Sequence, residues 1–241
     1  MHQAAYRNLP LLADLLLAAG APVDVAGRGD GGTPLVVALF WGHAAMAEKL
    51  ARHGEAPRNL RVAAGLGDAA LLDELVRPNG TLAPAAGAHH GFYRPHGGFP
   101  SWRPSDDAAE IRDEALAWAA RNDRTTALRT LAARGANLDA DVYRGTALTW
   151  AAAQGKLAAV RTLLELGADV NRAGTFGGPS HGVGVTAAHL AAENNHPDVL
   201  QALVAAGADL DARDGQWHAT PETWAKMCGS PEAREFLVQA R

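Results

Sequence analysis

Residues 145–171 read GTALTWAAAQGKLAAVRTLLELGADVN, and this stretch decides the fold because near-copies of it recur along the chain. With Thr146 as the first position, Thr33, Thr186 and Thr220 open comparable segments. Nine residues after each threonine stand Gly42, Gly155, Asn195 and Gly229, and the twenty-second position holds Gly54, Gly167 and Gly207. Weaker copies start at Arg58, with Gly67 in tenth place, and at Glu114, with Gly135 in twenty-second place. A seventh, truncated copy occupies the N-terminus, marked by Gly20 and by Ala4-Ala5.

The second half of each copy carries apolar residues at i, i+1, i+4 and i+5, as in Leu71, Leu72, Leu75 and Val76, or Val199, Leu200, Leu203 and Val204. That spacing gives a helix one apolar face. Alanine pairs (Ala63-Ala64, Ala119-Ala120, Ala151-Ala152, Ala191-Ala192) let the first helix of each copy approach its neighbours closely. The recurrent glycine predicts a second helix that ends on a left-handed residue, where a side chain would be strained. One such helix pair cannot bury its own face, so the copies must stack into an all-α solenoid.

Composition is compatible with this reading. The chain has 241 residues, of which 48% are apolar but only 6% aromatic, so alanine and leucine must do most of the packing. Lys plus Arg number 22 against 26 Asp plus Glu, a net charge of −4, which removes the basic footprint of a nucleic-acid binder. The single cysteine, Cys228, excludes an intramolecular disulfide and a thiolate zinc cluster. Leu9 to Val25 loosely imitates a secretory apolar region, but Asp14 and Asp24 interrupt it, and no apolar run is long enough to span a membrane. A cytoplasmic protein is expected.

The copies resemble the ankyrin repeat, whose pattern is Gly-x-Thr-Pro-Leu-His-x-Ala-Ala, then Gly-His, then Leu-Leu-x-x-Gly-Ala-Asp-Val-Asn. Gly145 to Asn171 is the closest match, followed by Ala205 to Asp211 and Arg134 to Asp139. His189 keeps the motif histidine, whereas Val36, Thr149 and Thr223 replace it. The resemblance implies an ankyrin-repeat solenoid of about seven helix-turn-helix units with an ordered loop insertion, one domain over residues 1–241. It also implies a concave surface that grips a partner protein through loops and first helices.

Unit spacing is uneven. From Thr33 onward, first positions lie 25, 56, 32, 40 and 34 residues apart, against a family period of about 33. Two insertions, 81–108 and 173–184, are therefore expected to carry specificity, since insertions in stacked repeats gather on one face, often the binding face. Both should project from the hairpin edge and fold over the concave groove. The first holds His89, His90, Phe92, Tyr93, Arg94, His96, Phe99, Trp102, Arg103, Asp106 and Asp107 among several prolines, which suggests a loop that packs its own side chains. The second is glycine-rich and holds Phe176 and His181.

The repeat register also marks a candidate groove. Position 5 is Trp118, Trp150 or Trp224, expected as a floor beneath Arg121, Asn122, Gln154, Glu193 and Asn194 at positions 8 and 9. Tyr143-Arg144 and Gln216-Trp217-His218 are hairpin tips that would form a rim, and Tyr93, Arg94, Trp102 and Arg103 would add ligand contacts from above. Phe40-Trp41 either anchors a partner or packs against the short connection to Arg58. His43, His189 and His196 are explained by the repeat itself, which leaves His89, His90, His96, His181 and His218 in insertions or hairpins.

Binding of a partner protein or small ligand in the groove is the expected function, with no nucleic acid and no membrane involved. The alternative is a metal-independent enzyme with His96, His181, Asp106, Asp107 and Glu193 as acid/base groups over Trp118 and Trp150. In that alternative Arg94, Arg103, Arg121 or Arg144 would hold an anionic substrate. Against it, Asp106-Asp107 precedes a helix and suits an N-cap. No cofactor is expected, and the histidines lack any recognised metal-ligand spacing. Because the stacking core lies outside residues 81–108, their removal is expected to leave helical content intact.

Overall fold

A computed structural model describes residues 1–27, 32–88, 106–143, 145–174 and 183–240. Among the described residues the chain forms fourteen helices in seven consecutive pairs and no strand. The first members are α1 (His2–Tyr6), α3 (Pro34–Phe40), α5 (Leu60–Leu66), α7 (Ala108–Arg121), α9 (Ala147–Ala153), α11 (Ala187–Glu193) and α13 (Pro221–Cys228). The second members are α2 (Pro10–Ala18), α4 (Ala44–Ala51), α6 (Ala69–Leu75), α8 (Thr125–Ala133), α10 (Leu157–Glu165), α12 (Pro197–Ala205) and α14 (Pro231–Gln239). The expected seven-unit helical solenoid is present.

Local chemistry sets the ends of these helices. Thr33, Asn59, Asp107, Thr146 and Thr220 each accept a hydrogen bond from a first-turn amide of a first helix. Thr186 does the same within a capping box completed by His189. The tenth position is left-handed in every unit: Asn8, Gly42, Gly67, Asp123, Gly155, Asn195 and Gly229 have φ between 50° and 75°. Asp123 and Asn195 occupy this strained position because their side chains do work there. Asp123 Oδ1 accepts from Ala159 N at 2.7 Å and Asn195 Oδ1 from Ala233 N at 3.0 Å. Each thereby caps the second helix of the following unit.

At the twenty-second position Gly20, Gly135, Gly167 and Gly207 are left-handed as expected. Gly54 departs from the expectation: its φ is not positive, and it is small for another reason. A Cβ there would fall 2.4 Å from Val23 Cγ2 and onto the Asp24 carboxylate.

First helices pack in the order α1, α3, α5, α7, α9, α11, α13, and α8, α10, α12 and α14 form a second layer behind them. The alanine pairs are fully buried between first helices, and the leucine stripes close the gap to the second layer. Two sets of hydrogen bonds tie unit to unit. The eleventh residue reaches back to the carbonyl at position 8 of the preceding unit: His43 Nε2–H to Tyr6 at 3.2 Å, Arg124 Nε–H to Gly65 at 3.0 Å, Ser230 Oγ–H to Glu193 at 2.8 Å. His196 does the same to Ala153. These carbonyls belong to the last helical turn, which has no intrahelical donor for them. On the opposite edge Asp113, Asp139 and Asn171 accept from the amides of Asn137, Asp169 and Asp209 in the following hairpin.

The third and fifth units interrupt the first set; in the fifth the eleventh residue is Lys156, and in the third the interruption changes the packing. The eleventh residue of the third unit, Asp68, cannot donate and instead caps α6 through Leu71 N. The orphaned Phe40 carbonyl accepts from Arg121 Nη1 of the fourth unit at 2.5 Å. So α3 packs on both α5 and α7, and Gly42 lies against the backbone of Arg121. This contact accompanies the short 25-residue spacing between the second and third units.

The roots of the long insertion are part of the fold. Val76 bridges Leu82 in antiparallel fashion, Ala86 is buried, Leu82 and Ala83 pack on the core, and Leu60 N donates to Ala86 O at 3.0 Å. Excising 81–108 would therefore uncover Leu60, contrary to the expectation from the repeat register. Gly174 N donates to Val185 O at 2.9 Å, so the second insertion springs from a hairpin base as expected.

The inward lean of the second unit predicts an asymmetry between two left-handed glycines. Gly167→Ala meets no neighbouring atom within 4 Å and should cost about 1–2 kcal/mol from backbone strain alone. Gly42→Ala would place its Cβ 2.6 Å from Arg121 O and should cost clearly more. Urea unfolding of both variants reads the difference, and equal losses would mean that the second unit does not lie against α7.

Candidate functional site

Among the described residues, an aromatic cluster packs between the first helices in the N-terminal half of the array. Phe40 lies edge-on to Trp118 at 6.2 Å and to Tyr143 at 5.6 Å between ring centres. Trp118 Nε1–H donates to the Tyr143 hydroxyl at 3.1 Å, and Trp150 Nε1–H to Val142 O at 3.2 Å. All four rings are buried. Trp118 and Trp150 are therefore core residues and not the open floor expected from position 5, because α3 leans across them. Of the two readings of Phe40-Trp41, packing is the one observed: Phe40 lies against the fourth unit, and half-buried Trp41 lies edge-on to Tyr6 at 5.4 Å between ring centres.

Arg121 and Asn122 are drawn into the same cluster. The Arg121 guanidinium lies 3.4 Å from the Trp150 ring centre and 4.2 Å from that of Phe40. Burial pulls its pKa down to about 9, with only the Tyr143 phenol opposing. Asn122 Nδ2 donates to Leu39 O at 2.8 Å and Trp118 O at 2.9 Å. Both residues are buried, so neither stands above a groove floor.

Beside them is an ion pair that the repeat register did not single out. Arg61 Nη1 lies 3.6 Å from Glu114 Oε2, and both side chains are almost wholly buried. Burial raises Glu114 to about 8 against the pull of Arg61, and the Tyr143 hydroxyl also hydrogen-bonds it. A signal was available: Arg61 stands where the motif histidine belongs, and Glu114 where the capping threonine belongs.

Among the described residues, the C-terminal half contains a recess. Glu193, Trp217, Trp224, Met227 and Cys228 line a recess of about 150 Å³. Trp224 is buried, and its Nε1–H donates to Asp214 Oδ2 at 3.0 Å. The same carboxylate accepts from the amides of Gln216, Trp217 and Ala219, which pins the hairpin tip. Burial would raise the Asp214 pKa, but these four donors outweigh it and the net displacement is downward. His189 supports the recess from below. Its Nδ1 accepts from Thr186 N at 3.2 Å, and Nε2–H donates to Ala219 O at 3.1 Å. Trp217 is 44% and Met227 61% exposed. Partial burial and then Glu193 push the Cys228 thiol up, which favours the unreactive protonated form.

The remaining expected residues are scattered. Asp107 caps α7 through Ala109 N and Glu110 N, and Asp106 is exposed beside it. Gln154 is half-buried against Gly42; Asn194 is exposed and donates to Leu190 O. Glu193 meets Trp224 and not Trp118 or Trp150. Tyr93, Arg94, His96, Trp102, Arg103, Arg144 and His181, with His89, His90, Phe92, Phe99 and Phe176, lie outside the described residues.

The buried acid predicts an unusual pH dependence. Folded Glu114 holds its proton up to about 8, whereas the unfolded acid loses it near 4.5. The folded state therefore binds more protons across that window, and this contribution to stability falls as pH rises through it. His43, His189 and His196, all lowered from 6.5 by burial, act in the opposite sense, so acid below 6.5 destabilises through them. Glu114→Gln mimics the protonated acid and should stay within about 1 kcal/mol of the parent at pH 7. Above the folded pKa it should become the more stable of the two. Urea titrations across this range decide the point, and a loss of about 3 kcal/mol at pH 7 would instead indicate a charged carboxylate paired with Arg61.

Comparison with known families agrees with the architecture. The family described as "Ankyrin repeats (3 copies)" matches residues 60–173, and "Ankyrin repeat" matches residues 183–215. No curated protein matches the chain. Among the described residues no helix is long and apolar enough to cross a membrane. With seven stacked helix pairs, left-handed tenth positions and matches over more than half its length, the chain belongs to the ankyrin-repeat family.

Proposed function

We propose that this protein is a binding module that takes a segment of a partner protein in the C-terminal half of its concave face. In this reading insertions 81–108 and 173–184 belong to the same single domain and form the sides of that groove. Ankyrin repeats are in general protein-interaction modules. The observation that carries the finer reading is the exposure of Trp217 and Met227 over a recess backed by rigidly held Trp224. Large apolar side chains at the mouth of a preformed pocket are the usual anchors of an interface. Among the described residues of the N-terminal half, Phe40 and Trp118 are buried against each other and present no exposed anchor.

A second reading, acid/base chemistry on a small molecule, is favoured by one observation. Glu114 is a buried carboxylic acid with its pKa near 8, flanked by Arg61 and Tyr143, as a general acid at neutral pH would be. That reading shifts the chemistry from Asp106, Asp107 and Glu193 to Glu114.

Photo-cross-linking separates the concave face from the convex one. A cross-linker at position 227 should capture a defined partner in cells, whereas one at exposed position 161 on α10 should not. Trp217→Ala should weaken the isolated complex by about tenfold or more while leaving the helical signal unchanged. Equal capture from both faces, or full affinity in Trp217→Ala, would reject the proposed groove.

A further inference from the structure

The recess beside Trp217 has a chemistry beyond its exposure. Among the described residues five line it: Glu193 at the end of α11, Trp217 in the hairpin before α13, and Trp224, Met227 and Cys228 on or beside that helix. Its volume of about 150 Å³ gives room for a group the size of a benzene ring. The two indoles meet at 66° with ring centres 5.6 Å apart, so they form a corner and not a flat wall. The Met227 thioether and Cys228 thiol make the rest of the lining soft and polarisable. Of these five side chains the Glu193 carboxylate carries the formal charge. That charge is felt inside the recess: after partial burial, it is the second influence that pushes the Cys228 thiol up. Lys226 precedes Met227 in the chain but is not part of the lining.

An indole face is the negative end of a quadrupole, and tryptophan attracts cations more strongly than other aromatic side chains. Here the attraction is reinforced from behind. Trp224 Nε1–H donates to Asp214 Oδ2 at 3.0 Å, and a proton shared with an anion leaves the ring richer in electrons. The amides of Gln216, Trp217 and Ala219 hold the same carboxylate in its ionised form. They also fix the backbone that carries Trp217, which lowers the ordering cost of binding. An anion would be repelled by Glu193 and Asp214, and a purely apolar group would strip water from Glu193 without compensation. The inclined rings offer no parallel slot for a planar guanidinium, whereas a compact ammonium fits a corner and can donate to a carboxylate.

The geometry points to a lysine pocket: the recess takes the side-chain ammonium of a lysine in the partner segment, its stem along Met227 and its charged end beside Trp217, Trp224 and Glu193. This assignment rests on the partner-binding reading of the groove and names the residue that the groove selects.

The test uses the full chain labelled with carbon-13 in its methionine methyl groups. Three signals result, and the one lost in Met227→Leu reports on the recess. The probe is an acetylated, amidated pentapeptide with one lysine among glycines. It should shift the Met227 signal saturably with a dissociation constant of about 1–10 mM, as a single anchor allows. The same peptide with norleucine, which keeps the stem and lacks the charge, should bind about tenfold more weakly. Glu193→Gln keeps the shape and should weaken the lysine peptide about fivefold. Trp217→Leu keeps an apolar wall without the quadrupole and should cost about threefold or more with an unchanged helical signal. Equal binding of the lysine and norleucine peptides would make the recess an apolar anchor and overturn the proposal. Tighter binding of the arginine or trimethyllysine peptide would overturn it too, as would the absence of a saturable shift up to about 50 mM, beyond the range of a specific anchor. If a cross-linker at position 227 still captures a partner in that case, the groove stands and only the lysine assignment falls; if capture fails as well, both fall.

Discussion

The stack leans on one hydrogen bond, repeated at four of its six junctions: the eleventh residue of a unit donates to the carbonyl at the end of the preceding first helix. His43, Arg124, His196 and Ser230 all make it, with four chemically different side chains, so the requirement is for a donor at that point and not for a particular residue. The carbonyl must be matched because it lies between packed helices where water does not reach it. Where the third unit offers Asp68 instead, the bare Phe40 carbonyl finds its donor one unit further on, in Arg121. The second unit is then carried onto the fourth, and the aromatic cluster of Phe40, Trp118, Tyr143 and Trp150 closes.

The two ends of that face solve the problem of buried polarity differently. The Asp214 side chain is covered, four N–H donors surround its carboxylate, and its pKa falls. It is a finished structural feature that holds Trp217 and Trp224 in place. Glu114 and Arg121 lie deeper and are incompletely matched, and burial moves the pKa toward the uncharged form in both cases. Incomplete matching of this kind lowers stability.

Periodicity made the scaffold legible. The spacing of Thr146, Gly155 and Gly167 located seven helix pairs and their left-handed joints, because each unit solves the same local problem with the same residues. Three features were not legible, for related reasons. Gly54 fits the register but serves a close approach by Val23 and Asp24, a tertiary fact that no repeat encodes. Residues 82–86 read as insertion, yet they cover Leu60 because α6 ends a turn early at Leu75. The burial of Trp118, Trp150 and Arg121 follows from a missing donor and a short connection, which alter the tilt between units without altering any unit's own pattern. Substitutions at repeat positions that are otherwise structural carried more information than the insertions did: Arg61 for the histidine and Glu114 for the threonine mark a buried arginine beside a buried carboxylic acid inside the first-helix layer.

The caps supplied by Asp123 and Asn195 give the array a direction. Each sits in an earlier unit and completes the second helix of a later one, α10 and α14 respectively. During synthesis from the ribosome, a newly emerging helix pair meets a neighbour that already presents the oxygen its amides need. Growth toward the C-terminus is thus templated, whereas an isolated C-terminal fragment would have to nucleate its helices without that help.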